Sequence, residues 1–203
     1  MQTYLHQDDI PADLDFGSAV AVDTETMGLN PARDRLCLVQ LSAGDGSCHL
    51  VQFRDRNYAA LNLRGLLSDQ QVTKLFHFAR FDLAAIQRHL GVMCRPVYCT
   101  KVASKLARTF AERHGLKDLC RDLLNVEISK QQQMSDWGAP ELTEEQIRYA
   151  ASDVLYLHDL RRILDQMLAR EGRSELARGC FEFLPVRAAL DLAGWTNADV
   201  LEH

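Results

Sequence analysis

Between residues 18 and 53, apolar and polar positions follow one another in short runs with the period of half-buried strands. Three runs stand out: 18–24, with Asp23 at its end, then 35–43, then 47–53. Gly44-Asp45-Gly46 separates the last two, a composition that predicts a tight hairpin turn. The opening therefore reads as a three-stranded antiparallel meander. The period then changes. Residues 58–67 read as a helix, 73–78 as a strand, 81–90 as a helix stopping at Gly91, and 96–99 as a short strand. From Thr100 onward the pattern is almost entirely helical. Thr100 is placed to cap a helix over 101–110, and another helix covers 115–124. Thr143-Glu144-Glu145-Gln146 has the form of a capping box and heads a long helix expected to run to about residue 169. A last helical region covers 175–192. Strands first, then strand–helix alternation, then helices predicts an α/β fold. It has a central mixed sheet, an antiparallel meander plus parallel strands, flanked by helices, and a helical C-terminal half.

Composition narrows the picture. A chain of 203 residues suits one compact domain. No apolar run reaches the ~18–20 residues that span a bilayer. Residues 1–16 are acidic and polar and lack the build of a secretory signal, so the cytoplasm is the expected compartment. The six cysteines include no C-x-x-C pair and lie mostly in apolar segments, so they read as core hydrophobes. The net charge of −5 does not suit a protein that coats long nucleic acid, which needs clustered Lys and Arg. It is compatible with a short substrate, and with a carboxylate site whose charge divalent cations offset.

The candidate chemistry lies at three places. Asp23 and Glu25 close the first strand, and alternate residues of a strand share a face, so the two carboxylates can aim at one point. Asp82 sits where a strand passes into the first turn of a helix, a position that helix-dipole compensation alone would also explain. Tyr149 and Asp153 are four apart on a helix and share a face, with small Ala150 and Ala151 between them. Each of the three is ordinary by itself. Together they bring four carboxylates and a phenol from separate elements. Such a cluster without a cation is costly through repulsion and desolvation. Hard divalent ions such as Mg²⁺ or Mn²⁺ remove that cost, and a pair of them can serve in-line phosphoryl displacement.

These segments resemble the three exonuclease motifs of the DEDD superfamily: Val22-Asp23-Thr24-Glu25-Thr26, the stretch from His77 to Asp82, and Tyr149-x-x-x-Asp153, the tyrosine form. Ser135-Asp136-Trp137 and the stretch from Leu142 to Asp153 are similar to bacterial ribonuclease D. The short length and the tail from Phe183 to Trp195 resemble nano-RNase C, a small ribonuclease D-like family. The resemblance implies a ribonuclease H-like/DnaQ-like exonuclease fold, as one 3′-5′ exonuclease domain over 1–203 without HRDC domains. It implies two divalent cations, Mg²⁺ or Mn²⁺. Asp23, Glu25 and Asp153 would hold one, with the attacking water. Asp23 would bridge to the second, which Asp82 supports, and Tyr149 would orient the water. It further implies hydrolysis of short RNA, dinucleotides in particular, to 5′-mononucleotides, and a homo-oligomer in the form of an octameric ring.

Substrate contacts are expected from Thr24 of the first motif. They are also expected from Leu29, where related enzymes carry a wedge between the last two bases, and from His77 and Phe78 as stacking groups. Because strand residues alternate, one of His77 and Phe78 is expected to face the substrate. Trp137, Lys130 and Gln133 lie before the third motif, in a region that approaches the active site in ribonuclease D-like proteins. The competing structural readings are a loop leucine, a core tryptophan and a solvated polar loop. Three other functions stay open: trimming of longer RNA or DNA 3′ ends, a non-catalytic nucleic-acid-binding scaffold, and a small proofreading or helicase-associated nuclease module within a larger complex.

Overall fold

The computed structural model describes residues 2–30, 32–129, 131–198 and 200–202. Six strands, β1 (Gln2–Gln7), β2 (Ala19–Thr26), β3 (Leu36–Ser42), β4 (Ser47–Gln52), β5 (Thr73–Phe76) and β6 (Val97–Cys99), form one sheet in the order β1-β4-β3-β2-β5-β6. β2, β3 and β4 pair antiparallel, as the hairpin signals predicted, while β5 and β6 continue from β2 in parallel. The α/β arrangement expected from the sequence is the one observed. β1, parallel to β4 at the sheet edge, is an addition that the hydrophobic pattern did not reveal. Most of its side chains are exposed, so it carries no clean alternation.

Among the described residues, seven helices cover the sheet: α1 (Leu61–Ser68), α2 (Ala79–Leu90), α3 (Thr100–Ala107), α4 (Leu116–Leu119), α5 (Glu144–Leu155), α6 (Leu157–Arg170) and α7 (Ser174–Leu192). A π-helical turn, Cys120–Leu124, extends α4. α5 lies across β2, β3 and β4, while α7 packs on α2 and α6 packs on α3. One hydrophobic core links these layers, from Ile10 to Ala188. Five cysteines are buried and Cys180 is exposed, all of them free. Among the described residues, no helix is long and apolar enough to cross a membrane.

Three sequence expectations are corrected. Thr100 is the first helical residue of α3, not its cap; its hydroxyl donates to the Phe76 carbonyl at 3.1 Å. The long helix expected from Thr143 is two helices, which meet at Tyr156 (φ −102°, ψ −1°). No glycine or proline marks that break. The Thr143 capping box itself is present, with Gln146 N–H donating to Thr143 Oγ1 and Thr143 N–H donating to Gln146 Oε1. Finally, the strand expected over 73–78 ends at Phe76. Phe78 takes a left-handed conformation (φ 72°) and starts α2.

Candidate active site

The site forms where two parallel strands end. β2 pairs with β5 only from Ala19 to Ala21; beyond that β2 runs on alone along this edge. β5 instead turns away through Phe78 into α2. A crevice therefore opens at the carboxyl ends of the two strands, the usual place for ligands in open α/β sheets. A register shift between Glu25 and Thr26 marks the mouth of this crevice. Buried Val20, Ala21 and Val22 fix the strand that delivers Asp23 and Glu25. Tyr149 and Asp153 come from α5, whose buried Ala150, Ala151 and Val154 seat it on the sheet.

Carboxylate oxygens of Asp23, Glu25 and Asp153 lie within 4.8 Å of one another. Asp82 lines the same cleft from the first turn of α2 and is 3% exposed. Its Oδ1 accepts a hydrogen bond from Thr24 Oγ1 at 2.7 Å. Asp23 Oδ2 accepts one from Gln40 Nε2 at 3.2 Å; Gln40 is its cross-strand partner on β3. The group is electrostatically unhappy without a cation. Burial and then repulsion from Asp153 and Asp82 push Glu25 up to about 9. Burial, partly offset by the Thr24 hydroxyl, raises Asp82 to about 7. Asp23 is raised by burial and by Asp82, Asp153 and Glu25. The donor set is all oxygen and anionic, so it fits divalent cations such as Mg²⁺ or Mn²⁺.

Burial, reinforced by Asp153, Glu25 and Asp23, lifts the Tyr149 phenol above its ordinary value. Its ring meets Trp137 at a centroid distance of 5.9 Å. Trp137 is 2% exposed and lines the cleft, so it is both a core residue and part of the wall.

The cleft has a volume of about 460 Å³ and also includes Leu29, His77, Phe78 and Gln133 in its lining. His77 and Phe78 both face it. The expectation that one of them would point away fails because the strand has already ended and Phe78 is left-handed. The first residues of α3 hold this junction. The Thr100 hydroxyl donates to the Phe76 carbonyl and lies 2.9 Å from His77 Nδ1. Lys101 Nζ sits 4.2 Å from the Phe78 ring centroid. Leu29 projects freely at 87% exposure. Thr24 is buried, and its hydroxyl is spent on Asp82. Lys130 lies outside the described residues.

Sequence reasoning missed Gln40, Lys101, Lys117 and Met134. All but Gln40 line the cleft. Gln40 sits in a fully buried strand, where its polar side chain inside an apolar run was the available signal. The segment bearing Trp137 is tied down from far away. Arg35 donates to the Gly138 carbonyl at 3.0 Å, Gln52 to that of Ala139 at 3.0 Å, and Gln146 to that of Asp136 at 3.1 Å. A Cβ on Gly138 would press on the ends of the Met27 and Arg35 side chains, which would have to shift to admit it.

Residues 6–169 match the 3′-5′ exonuclease family. The chain belongs to this family. Along 154 residues it is 36% identical to ribonuclease D of Gluconacetobacter diazotrophicus, covering 76% of this chain and 39% of that protein. The chain thus spans about two-fifths of that relative's length. Whole-chain similarity is to NrnC, the nano-RNase C of Brucella melitensis. Its structure with bound Mg²⁺ has a TM-score of 0.96 and 51% identity, with 100% of both chains covered. Its structure bound to pGG has a TM-score of 0.97 and 52% identity, covering 100% of this chain and 99% of that one. The nano-RNase C resemblance read from the sequence therefore extends over the full exonuclease fold.

Proposed function

We propose that this 3′-5′ exonuclease is a divalent-metal-dependent exoribonuclease that hydrolyses short RNA, dinucleotides above all, to 5′-mononucleotides. The observation that carries this reading is the convergence of Asp23, Glu25 and Asp153 within 4.8 Å, beside buried Asp82 and half-buried Tyr149. The likeness to NrnC bound to pGG supports the substrate class. Asp23, Glu25, Asp82 and Asp153 would hold two cations, Mg²⁺ or Mn²⁺. When bound, the ions neutralise the carboxylates and stabilise the charge that builds on the phosphate oxygens.

The protein's own contribution is positioning. Gln40 holds one oxygen of Asp23, and Thr24 holds one oxygen of Asp82, so each carboxylate has a fixed orientation. Tyr149 keeps its proton and acts as a hydrogen-bond donor rather than a base. Leu29, His77, Phe78, Trp137 and Gln133 form the walls against which the terminal nucleotides rest. The chain works in the cytoplasm as one exonuclease domain. It assembles as a homo-oligomer in an octameric ring. Phe183, Val186, Trp195 and Leu201, apolar and exposed toward the C-terminus, supply surface for that assembly.

The test is hydrolysis of 5′-phosphorylated RNA of 2 to about 20 nucleotides with Mg²⁺ or Mn²⁺, beside Asp23→Ala and Asp153→Ala. Mononucleotide release that is fastest on the dinucleotide and lost in both variants is the expected result. Equal rates at every length would leave a general 3′-end trimming enzyme. Hydrolysis retained in the variants would remove the site. Native mass measurement tests the ring.

A further inference from the structure

Four exposed apolar side chains of this protein line the catalytic cleft: Met27, Leu29, Phe78 and Met134. Met134 is the most exposed of them, at 93%. Water-exposed thioether at the rim of a cleft built around four carboxylates has no role in holding metal or in the chemistry of hydrolysis. Its backbone is not a loose loop tip. Ser135 N–H donates to the Gln132 carbonyl at 3.0 Å, and Trp137 N–H donates to the Ser135 carbonyl at 3.0 Å. Two residues later the chain is fixed by Arg35, Gln52 and Gln146, and Trp137 is buried against Tyr149. Met134 is thus a flexible apolar side chain carried on a fixed support, three residues from a wall residue of the active site.

We propose that Met134 is a substrate-gripping residue that covers the apolar face of a nucleobase in the cleft. This rests on the reading of the cleft as an exonuclease site. The cleft divides chemically. Its carboxylates gather around Asp23, Lys101 and Lys117 bring positive charge to its lining among the described residues, and Met27, Leu29, Phe78 and Met134 supply apolar exposure. A nucleotide divides in the same way, into anionic backbone and bases with apolar faces. Every base has such a face, so contact with it is tolerant of sequence. An unbranched thioether adapts to rings of different size and makes favourable sulfur–aromatic contacts. That combination suits an enzyme that must accept every pairing of bases.

The experiment compares wild type with Met134→Ala, Met134→Gln and Met134→Leu, on a 5′-phosphorylated dinucleotide with Mg²⁺. The Ala and Gln variants are expected to raise KM about tenfold, the effect of losing one buried apolar side chain, with kcat within about threefold. The Leu variant stays close to wild type, and native mass is unchanged in all. An unaltered KM in the Ala and Gln variants overturns the proposal. So does a change in native mass with activity lost together, which would assign Met134 to a contact between copies. Should wild type fail to hydrolyse the dinucleotide, the dinucleotide reading itself fails. Equilibrium dialysis of the dinucleotide with Ca²⁺ then decides the inference: weaker binding by the Ala variant sustains it, and equal binding ends it.

Discussion

The Thr24 hydroxyl donates to Asp82 Oδ1 at 2.7 Å, joining the strand that carries Asp23 and Glu25 to the first turn of α2. The bond lies wholly inside the protein and lowers the cost of keeping Asp82 ionised. Thr24→Val removes the donor and keeps the shape. A buried carboxylate deprived of a hydrogen bond loses about 1.5–3 kcal/mol of support. We expect activity to fall about tenfold or more and the divalent-ion concentration for half-maximal rate to rise, while Thr24→Ser stays near wild type. Titration of activity with Mg²⁺ distinguishes these outcomes.

Stability without metal depends on pH in a direction opposite to that of most acidic surface sites. Asp82, pushed up to about 7, and Glu25, pushed up to about 9, bind protons more tightly in the folded chain than in the unfolded one. Their contribution is full near pH 4 and is lost as pH rises through those folded values. Thermal unfolding in chelator should therefore show a falling Tm between pH 5.5 and 9. Added Mg²⁺ should restore it most at the alkaline end, since ions bind the deprotonated carboxylates. A Tm that rises with pH in chelator would contradict the buried cluster.

Burial and three carboxylates hold the Tyr149 phenol above its ordinary value in the metal-free chain. Tyr149→Phe removes a donor without touching the carboxylates. We expect kcat to drop roughly 10²-fold, the low end of what a positioned proton-bearing group contributes. Mg²⁺-induced thermal stabilisation should persist. Asp153→Asn, by contrast, should lose both. Calorimetric melting with and without Mg²⁺, alongside kcat, separates the two variants.

Arg35 holds two loops at once, through Phe53 O at 2.9 Å and Gly138 O at 3.0 Å. Arg35→Leu leaves both carbonyls without this charged donor, at a cost of about 1–3 kcal/mol to stability. The segment bearing Trp137 and Met134 should loosen, so KM rises while metal-induced stabilisation is retained. Urea denaturation and steady-state kinetics check the two effects.

The carboxylates and the tyrosine were legible because their spacing is local: i,i+2 on a strand and i,i+4 on a helix. The meander was legible from its turns. Gln40 was not, because what gives it meaning is the cross-strand register with Asp23, a non-local fact. Met134 and Lys101 carry no spacing signal; a loop and a helix start bring them to the cleft. The break at Tyr156 left no trace, since Leu155 and Leu157 continue the apolar pattern across it. β1 escaped for the opposite reason: an edge strand with exposed side chains has no buried face to write into the sequence.

The ties that fix the Trp137 segment also say something about how this chain assembles. Arg35 reaches a carbonyl 103 residues ahead, and Gln52 one 87 residues ahead. Contacts that span so much chain must close a long loop before they return any stabilisation. The meander can form early from its own turns, but the cleft exists only after α5 has docked on it. Folding of the sheet and acquisition of function are therefore separate events in time. During refolding, far-ultraviolet signal should return before Mg²⁺-dependent hydrolysis does, and a chain still lacking α5 would be a partly formed sheet with no enzyme on it.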